Sequence, residues 1–147
     1  MSKKAKSCLA VACVALVLLC GSSAAQARSA ATTALINQAE KHWKAGQLDL
    51  AQTTFKQALA AEPGAVDIEL KIAGLQLSNN DFAACIPSYQ HVIGLDATSV
   101  RAWLGLGFAY LHTGKNSLSM TAFNEAIRLD PGKKEALQPM LAKLQSP

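Results

Sequence analysis

Apolar residues recur along this chain at the spacing of a helix face. One side of the segment 48–61 is apolar at positions i, i+4, i+7 and i+8, which are Ala51, Phe55, Ala58 and Leu59, and these positions share one side of an α-helix. The pattern of residues 55–63 returns at residues 123–131, and a looser copy lies midway, at residues 89–97. The period of about 34 residues is typical of helix–turn–helix repeats.

Candidate turn residues follow the same period. Gly46, Asn80 and Gly114 each suit the left-handed residue that ends a helix, and Pro63 and Pro131 stop the helices before them. The sequence therefore predicts an all-α protein. We expect helices over residues 32–45, 48–61, 66–79, 82–95, 100–113 and 116–129, followed by a polar capping helix over residues 133–145.

Two prolines fall inside these predicted helices. Pro87 lies just beyond the first turn of the helix 82–95 and should distort it, because proline cannot donate the interior hydrogen bond. For the same reason Pro139 should bend or split the capping helix. The sequence assigns no role to either proline.

The last of the three repeats resembles a known family. Residues 100–133 carry, in order, Trp103, Leu106, Gly107, Tyr110, Gly114, Phe123, Ala126 and Pro131. This order is similar to the tetratricopeptide repeat. The first repeat, residues 32–65, follows it less fully. The second repeat, residues 66–99, diverges where the family pattern has Trp, Tyr and Pro, and has Glu69, Gln76 and Ala97 there instead.

The resemblance implies a fold and a domain organisation. It implies a right-handed superhelical solenoid of three helix–turn–helix repeats over residues 32–131, closed by the capping helix 133–145. Repeat arrays of this kind need a polar end helix because each unit buries its apolar face only against its neighbours.

The N-terminal residues 1–27 have the three parts of a signal peptide. Lys3, Lys4 and Lys6 precede an apolar stretch over residues 8–19, which is shorter than a membrane span of about 18 or more residues. The stretch Ala25-Gln26-Ala27 then offers a cleavage site with small residues. We predict cleavage after Ala27, a periplasmic or secreted mature chain, and no membrane span after cleavage.

Two alternatives to cleavage after Ala27 stay open. The segment could remain as an uncleaved membrane anchor, or the chain could be cleaved before Cys20 and lipidated there. The residue before Cys20 is Leu19, whereas lipoprotein processing favours a small residue at that place. Lipidation at Cys20 is therefore the least favoured of the three possibilities.

The predicted mature chain, without residues 1–27, differs from the whole chain in net charge and in cysteine content. The whole chain has a net charge of +4, but all three of its early lysines lie before Arg28, so the remainder is nearly neutral. The only adjacent basic pair there is Lys133 and Lys134, without interleaved aromatics, which argues against nucleic acid as a partner. Cys85 is the one cysteine after residue 27. An internal disulfide is therefore excluded from the predicted mature chain, and Cys85 is expected to be a buried small hydrophobe.

No set of residues in the sequence has the spacing of a catalytic or metal site. His42, His91 and His112 fall on different predicted helices, although metal ligands must converge on one ion. Cys85 and His91 lie six residues apart on one helix, which turns them to different sides. Carboxylates such as Glu40, Glu69 and Glu125 are expected to be exposed helix charges. We predict no enzyme activity, no cofactor and no metal.

The family resemblance assigns a binding groove to the first helix of each repeat. Its positions in this chain are Ile36, Glu40, Trp43, Leu70, Lys71, Leu77, Arg101, Leu104, Phe108 and Leu111. Most are apolar, and an open apolar patch usually marks a binding site. Trp43 is the predicted anchor, and Gly74 and Gly105 should leave room on the groove floor for a ligand backbone. Among these positions only Arg101 and Lys71 suit an anion.

These features predict a non-catalytic adaptor that binds a peptide or helix of another protein. An exported adaptor would assist assembly of a cell-envelope complex. The alternative is a structural protein whose groove or ends are buried in a homo-oligomer. The apolar stripe could also be covered by residues 28–34 or by the capping helix. A third class, a thiol or metal enzyme, would require a reactive Cys85.

Overall fold

The computed structural model describes residues 28–145, and the predicted signal peptide lies outside them. Within this range the chain forms only helices. They are α1 (Ala30–Lys44), α2 (Leu48–Ala61), α3 (Val66–Ser78), α4 (Phe82–Leu95), α5 (Val100–His112), α6 (Asn116–Leu129), a short 3₁₀ helix (Pro131–Lys133) and α7 (Lys134–Gln145). The all-α prediction is confirmed, and the predicted bounds of α2, α4 and α6 agree with the structure.

The helices stack in the order of the sequence. From α2 onward each helix packs against the next one, and the first helices α3 and α5 of neighbouring pairs also touch. One hydrophobic cluster joins α1, α2 and α3, and a second joins α3 to α6. Because each pair contacts its neighbours along the chain, residues 31–145 form a solenoid of three helix pairs, capped by α7 against α6.

The turn inside each pair has the predicted left-handed residue. The φ angles are +74° at Gly46, +57° at Asn80 and +70° at Gly114. At the first of these turns the amide of Gly46 donates to the carbonyl of Trp43, and the amide of Gln47 donates to the carbonyl of His42. This hydrogen-bond pattern ends a helix and redirects the chain into the next one.

Small side chains let the two helices of each pair approach closely. Ala51, Cys85 and Ser119 occupy equivalent positions in the second helices and are fully buried. Ser119 also donates a hydrogen bond from Oγ to the carbonyl of Gly107, at 2.9 Å. The aromatic residue four positions later fills the space left between the helices, and in the last pair the ring of Phe123 lies against Gly107.

Both internal prolines are accommodated within continuous helices. Pro87 lies in α4 and Pro139 in α7. Of the two outcomes predicted for Pro139, a bent or a split capping helix, the split is wrong, because α7 runs unbroken from Lys134 to Gln145. Each proline removes a single interior amide donor from its helix, and the hydrogen bonds before and after it keep the helix together.

Candidate binding surface

The residues predicted to line a groove come from α1, α3 and α5. We call the surface formed by these ten residues the first-helix face: Ile36, Glu40, Trp43, Leu70, Lys71, Leu77, Arg101, Leu104, Phe108 and Leu111. Eight of them are half-buried, Arg101 is exposed and Ile36 is buried. The face therefore keeps partly accessible apolar side chains from all three pairs.

Ile36 belongs to the core rather than to an open surface. Its side chain is only 6% exposed and packs in the same cluster as Ala39 and Phe55. The side chain faces the second helix of its own pair, so it offers little area to a ligand. Its place in the predicted groove is corrected accordingly.

Trp43 joins the first two pairs. Its ring meets Phe55 edge-on, with the ring centroids 6.2 Å apart and the planes at 88°. Its Cη2 lies 3.2 Å from the place that a Cβ on Gly74 would take. Aromatic contacts of this geometry stabilise packing beyond the area that they bury. Trp43 therefore holds α1 against α3, and only the remaining part of its half-buried ring is available to a partner.

Gly105 does not leave an open groove floor. The ring of Tyr89 from the preceding pair lies against it, and a Cβ on Gly105 would stand 2.6 Å from Tyr89 Oη and still closer to the ring carbons. Gly105 is buried. The prediction that a ligand backbone approaches there is wrong, because the missing side chain makes room for a ring of the protein itself.

Charges on the first-helix face are partly neutralised from within. Lys71 Nζ on α3 forms an ion pair with Glu40 Oε1 on α1, which links the first two pairs. For Arg101 on α5, no carboxylate among residues 28–145 lies within 4 Å of its guanidinium. Of the two predicted anion-binding cations, only Arg101 therefore keeps its charge available.

The three histidines and Cys85 form no shared site within the part of the chain that the structure describes. His42 Nδ1 lies 2.7 Å from Gln47 Oε1, the ring of His112 stacks on Phe82 with centroids 5.1 Å apart, and His91 lies beside Glu69. No group of three potential metal ligands occurs within residues 28–145.

The environment of Cys85 lowers the reactivity of its thiol. Its side chain is fully buried. Burial first, and then the negative charge of Asp81, raises the pKa of its thiol to about 11. Since the thiolate is the reactive species, Cys85 behaves as a packing residue.

The solvent exposure of Glu69 differs from the prediction. Its side chain is only 14% exposed, so the expectation of a solvated helix charge is wrong for this residue. It lines an open cleft of about 440 Å³ between the second helices α2 and α4. The sequence shows that Glu69 replaces the Trp of the repeat pattern. It does not show the cleft beside Glu69, because the walls of that cleft come from neighbouring helices.

None of the helices described between residues 28 and 145 combines the length and the apolar character required to cross a membrane.

The stacked helix pairs place the chain in the class of helical-repeat proteins. The tetratricopeptide repeat family matches residues 36–99 and 70–134, more than half of the chain. The chain therefore belongs to the tetratricopeptide repeat family, whose domains typically mediate protein–protein interactions.

Solved structures with the same fold include a peptide-binding domain and a chaperone. The first repeat domain of Spaghetti (RPAP3), bound to the HSP90 peptide SRMEEVD, superposes with a TM-score of 0.71 at 19% identity, covering 77% of this chain and 89% of that one. The type III secretion translocator chaperone SycD of Yersinia enterocolitica, in an alternative dimer, gives 0.72 at 17% identity, covering 80% and 93%. At these identities the similarity concerns the fold.

One curated relative is similar over part of the chain. It is the probable UDP-N-acetylglucosamine–peptide N-acetylglucosaminyltransferase SPINDLY of Arabidopsis thaliana, 34% identical over 68 residues. The match covers 46% of this chain but only 7% of that protein. The transferase activity of that protein is therefore not carried over to this chain.

Proposed function

We propose that this protein is a non-catalytic adaptor whose first-helix face binds an amphipathic segment of a partner protein. The observation that supports the proposal is the composition of that face. It has half-buried apolar side chains from all three helix pairs, next to an exposed Arg101 that has no carboxylate partner among residues 28–145. A segment with apolar residues on one side and a carboxylate near Arg101 would complement both features.

The similar structures make this ligand class reasonable. The Spaghetti domain was solved with a peptide that ends in two glutamates, a valine and an aspartate. In this chain the face is largely apolar, and within the part of the chain that the structure describes Arg101 is its one unpaired cation, because Glu40 neutralises Lys71. We therefore favour a ligand held mainly by apolar contacts, with one charge pair at α5.

A peptide selection followed by mapping would test the proposal. Peptides would be selected from a random displayed library on the chain 28–147, and one labelled binder would be titrated by fluorescence anisotropy and by amide NMR shifts. We expect shifts around Leu77, Arg101 and Phe108. Arg101→Glu should weaken binding about tenfold or more, since a charge pair becomes a repulsion.

The matched control is Lys56→Glu, which makes the same charge change on an exposed position of the second helix α2. It should leave affinity within about twofold. Shifts confined to the second helices, or equal losses in the two variants, would contradict binding at the first-helix face.

The rival function is self-association through the same face. The SycD chaperone was solved as a dimer, and a short array gains burial by pairing. Sedimentation of the chain 28–147 over a range of concentrations separates the two. A monomer is expected, and a dimer that Leu104→Asp dissociates would favour the structural role instead.

We also propose that the adaptor is exported and assists assembly of an envelope complex, because residues 1–27 have the sequence features of a signal peptide. Intact mass of the full chain expressed in a Gram-negative host should correspond to a start at Arg28. Ala27→Arg should block cleavage, whereas Gln26→Ala, at the position between the two small residues, should not. A mass shift that depends on Cys20 would indicate lipidation instead.

A further inference from the structure

Two clefts open between successive second helices, at equivalent repeat positions. The first, the Glu69 cleft, is lined by Leu59, Glu69, Ile72, Pro87, Ser88 and His91. The second, the Trp103 cleft, lies 34 residues further along. Five of the six positions recur there, as Ile93, Trp103, Leu106, Thr121 and Ala122. The two clefts are therefore the same feature of the repeat, built with different side chains.

The two clefts differ most in chemical character at the position of Glu69 and Trp103. In the Trp103 cleft an indole takes up space, and its Nε1 donates to the carbonyl of Ala97 at 2.9 Å. In the Glu69 cleft the same position carries a shorter carboxylate. The open volume is about 440 Å³ there, against about 260 Å³ in the Trp103 cleft. The second helix pair thus has the carboxylate of Glu69 at the wall of the wider cleft, where the third pair has the indole of Trp103.

The carboxylate in this cleft lacks an aligned hydrogen-bond donor. Oε2 of Glu69 is buried without a hydrogen bond within residues 28–145. His91 Nε2 lies 3.1 Å from this oxygen, close enough for an ion pair when the imidazole is charged, but it forms no hydrogen bond to Oε2, and the His91 side chain is 64% exposed at the rim. A buried carboxylate that is poorly satisfied gains strongly from a charged donor. The walls around it, Leu59, Ile72 and Pro87, are apolar.

We infer that the Glu69 cleft is a second binding site, which accepts an arginine side chain of a partner polypeptide. The guanidinium would donate one hydrogen bond to the accessible Glu69 Oε1 and, once the exposed His91 ring turns aside, a second to the buried Oε2. Arginine matches this paired geometry better than lysine. The aliphatic stem would lie along the apolar walls. A cleft of about 440 Å³ is within the range that holds small ligands.

This site is separate from the first-helix face. At about 100° per residue, the direction midway between Glu69 and Ile72 lies about 150° around α3 from the mean direction of Leu70, Lys71 and Leu77. The acidic cleft and the apolar face with Arg101 also select opposite charges. One chain could therefore hold an acidic segment on one side and an arginine on the other, so the inference goes beyond the proposed function and does not rest on it.

The test uses N-acetyl-arginine methylamide as the probe and NMR of the chain 28–147 as the readout. We expect saturable shifts at Leu59, Glu69 and Ile72. The matching citrulline compound, which has the same shape without the charge, should bind about tenfold or more weakly. Glu69→Gln, which keeps the size of the side chain, should weaken arginine binding by a similar factor. Glu135→Gln, on the exposed surface of α7, should not change it.

A second variant guards against a folding artefact. Glu69→Trp restores the residue of the third repeat, so it should fold and unfold at a higher urea concentration while abolishing arginine binding. Equal shifts with citrulline, or arginine shifts that survive Glu69→Gln, would overturn the inference. Tighter binding of N-acetyl-tryptophanamide would assign the cleft to a neutral aromatic instead. A dimer of the wild-type chain that Glu69→Trp dissociates would assign it to a second copy, and either result would also overturn the inference.

Discussion

The ring of Tyr89 rests on the backbone of Gly105, one repeat further along the chain. A Cβ at Gly105 would stand 2.6 Å from Tyr89 Oη, closer than real side-chain contacts allow. The ring itself is buried, at 4% exposure. The contact joins the second and third helix pairs without leaving space for any added atom.

Gly105→Ala should therefore destabilise the protein by about 1–3 kcal/mol, the usual cost of overpacking a core. Urea unfolding followed by circular dichroism measures this change. Gly94→Ala is the matched control, because Gly94 also lies in a helix and a Cβ there meets nothing within 4 Å. It should stabilise by about 0.4–1 kcal/mol. Equal effects of the two substitutions would show that the Tyr89 contact is not tight.

Cys85 should resist thiol reagents in the folded protein. It is fully buried, and its thiol pKa is raised to about 11. We expect labelling at pH 8 to be about a hundredfold slower, or more, than labelling in denaturing urea. The Ser117→Cys variant, at an exposed position of α6, supplies the control for reagent activity. Rapid labelling of Cys85 itself would reopen thiol chemistry for this chain.

The stability of the fold should decline in alkaline solution in two stages. Burial raises the pKa of Cys85 from 9.0 to about 11, and burial together with the Cys85 charge raises that of Tyr89 from 10.0 to about 12, against the opposing charge of Arg101. Groups with raised pKa values stabilise the fold fully below their unfolded values and lose that contribution as pH rises. The free energy of unfolding should therefore fall from about pH 9 upward.

The Cys85→Ala variant separates the two stages. Alanine occupies the equivalent position at Ala51, so the variant should fold. Its decline with pH should begin near the unfolded pKa of tyrosine, 10.0, rather than that of cysteine, 9.0. If the free energy of unfolding fell equally in the wild type and the variant between pH 9.0 and pH 10.0, the effect assigned to the Cys85 thiol would be contradicted.

The ion pair between Glu40 and Lys71 should contribute little to stability. Their side chains are 34% and 25% exposed, and partly exposed pairs are usually worth less than about 1 kcal/mol. A double-mutant cycle with Glu40→Gln and Lys71→Met measures the coupling energy. Arg128 and Glu125, a more exposed pair on α6, give the comparison. A coupling well above this range would mean that the pair orders α1 against α3.

Much of the fold was predictable because its signals are local and periodic. Gly46, Asn80 and Gly114 indicated the turns, and the repeat spacing placed the helices within one or two residues of their observed ends. α1 begins two residues before its predicted start, at Ala30. The 34-residue spacing itself contains no information on which side chains of neighbouring repeats meet.

The candidate sites were predictable only in part for this reason. The first-helix positions are fixed by the repeat, and eight of the ten are half-buried in the structure. The core position of Ile36, the neutralised Lys71 and the ring against Gly105 all depend on contacts between helices. The cleft at Glu69 was unforeseen as well, because the divergence from the repeat pattern is visible in the sequence whereas the space that it opens lies between α2 and α4.

The contact between Tyr89 and Gly105 also bears on how such an array can be built or rearranged. The positions equivalent to Gly105 carry Asn37 in the first repeat and Lys71 in the second. A copy of either repeat inserted after the second pair would present a side chain where the ring of Tyr89 must lie. The three repeats are therefore not interchangeable modules, because only the third has no side chain at the position that must follow Tyr89.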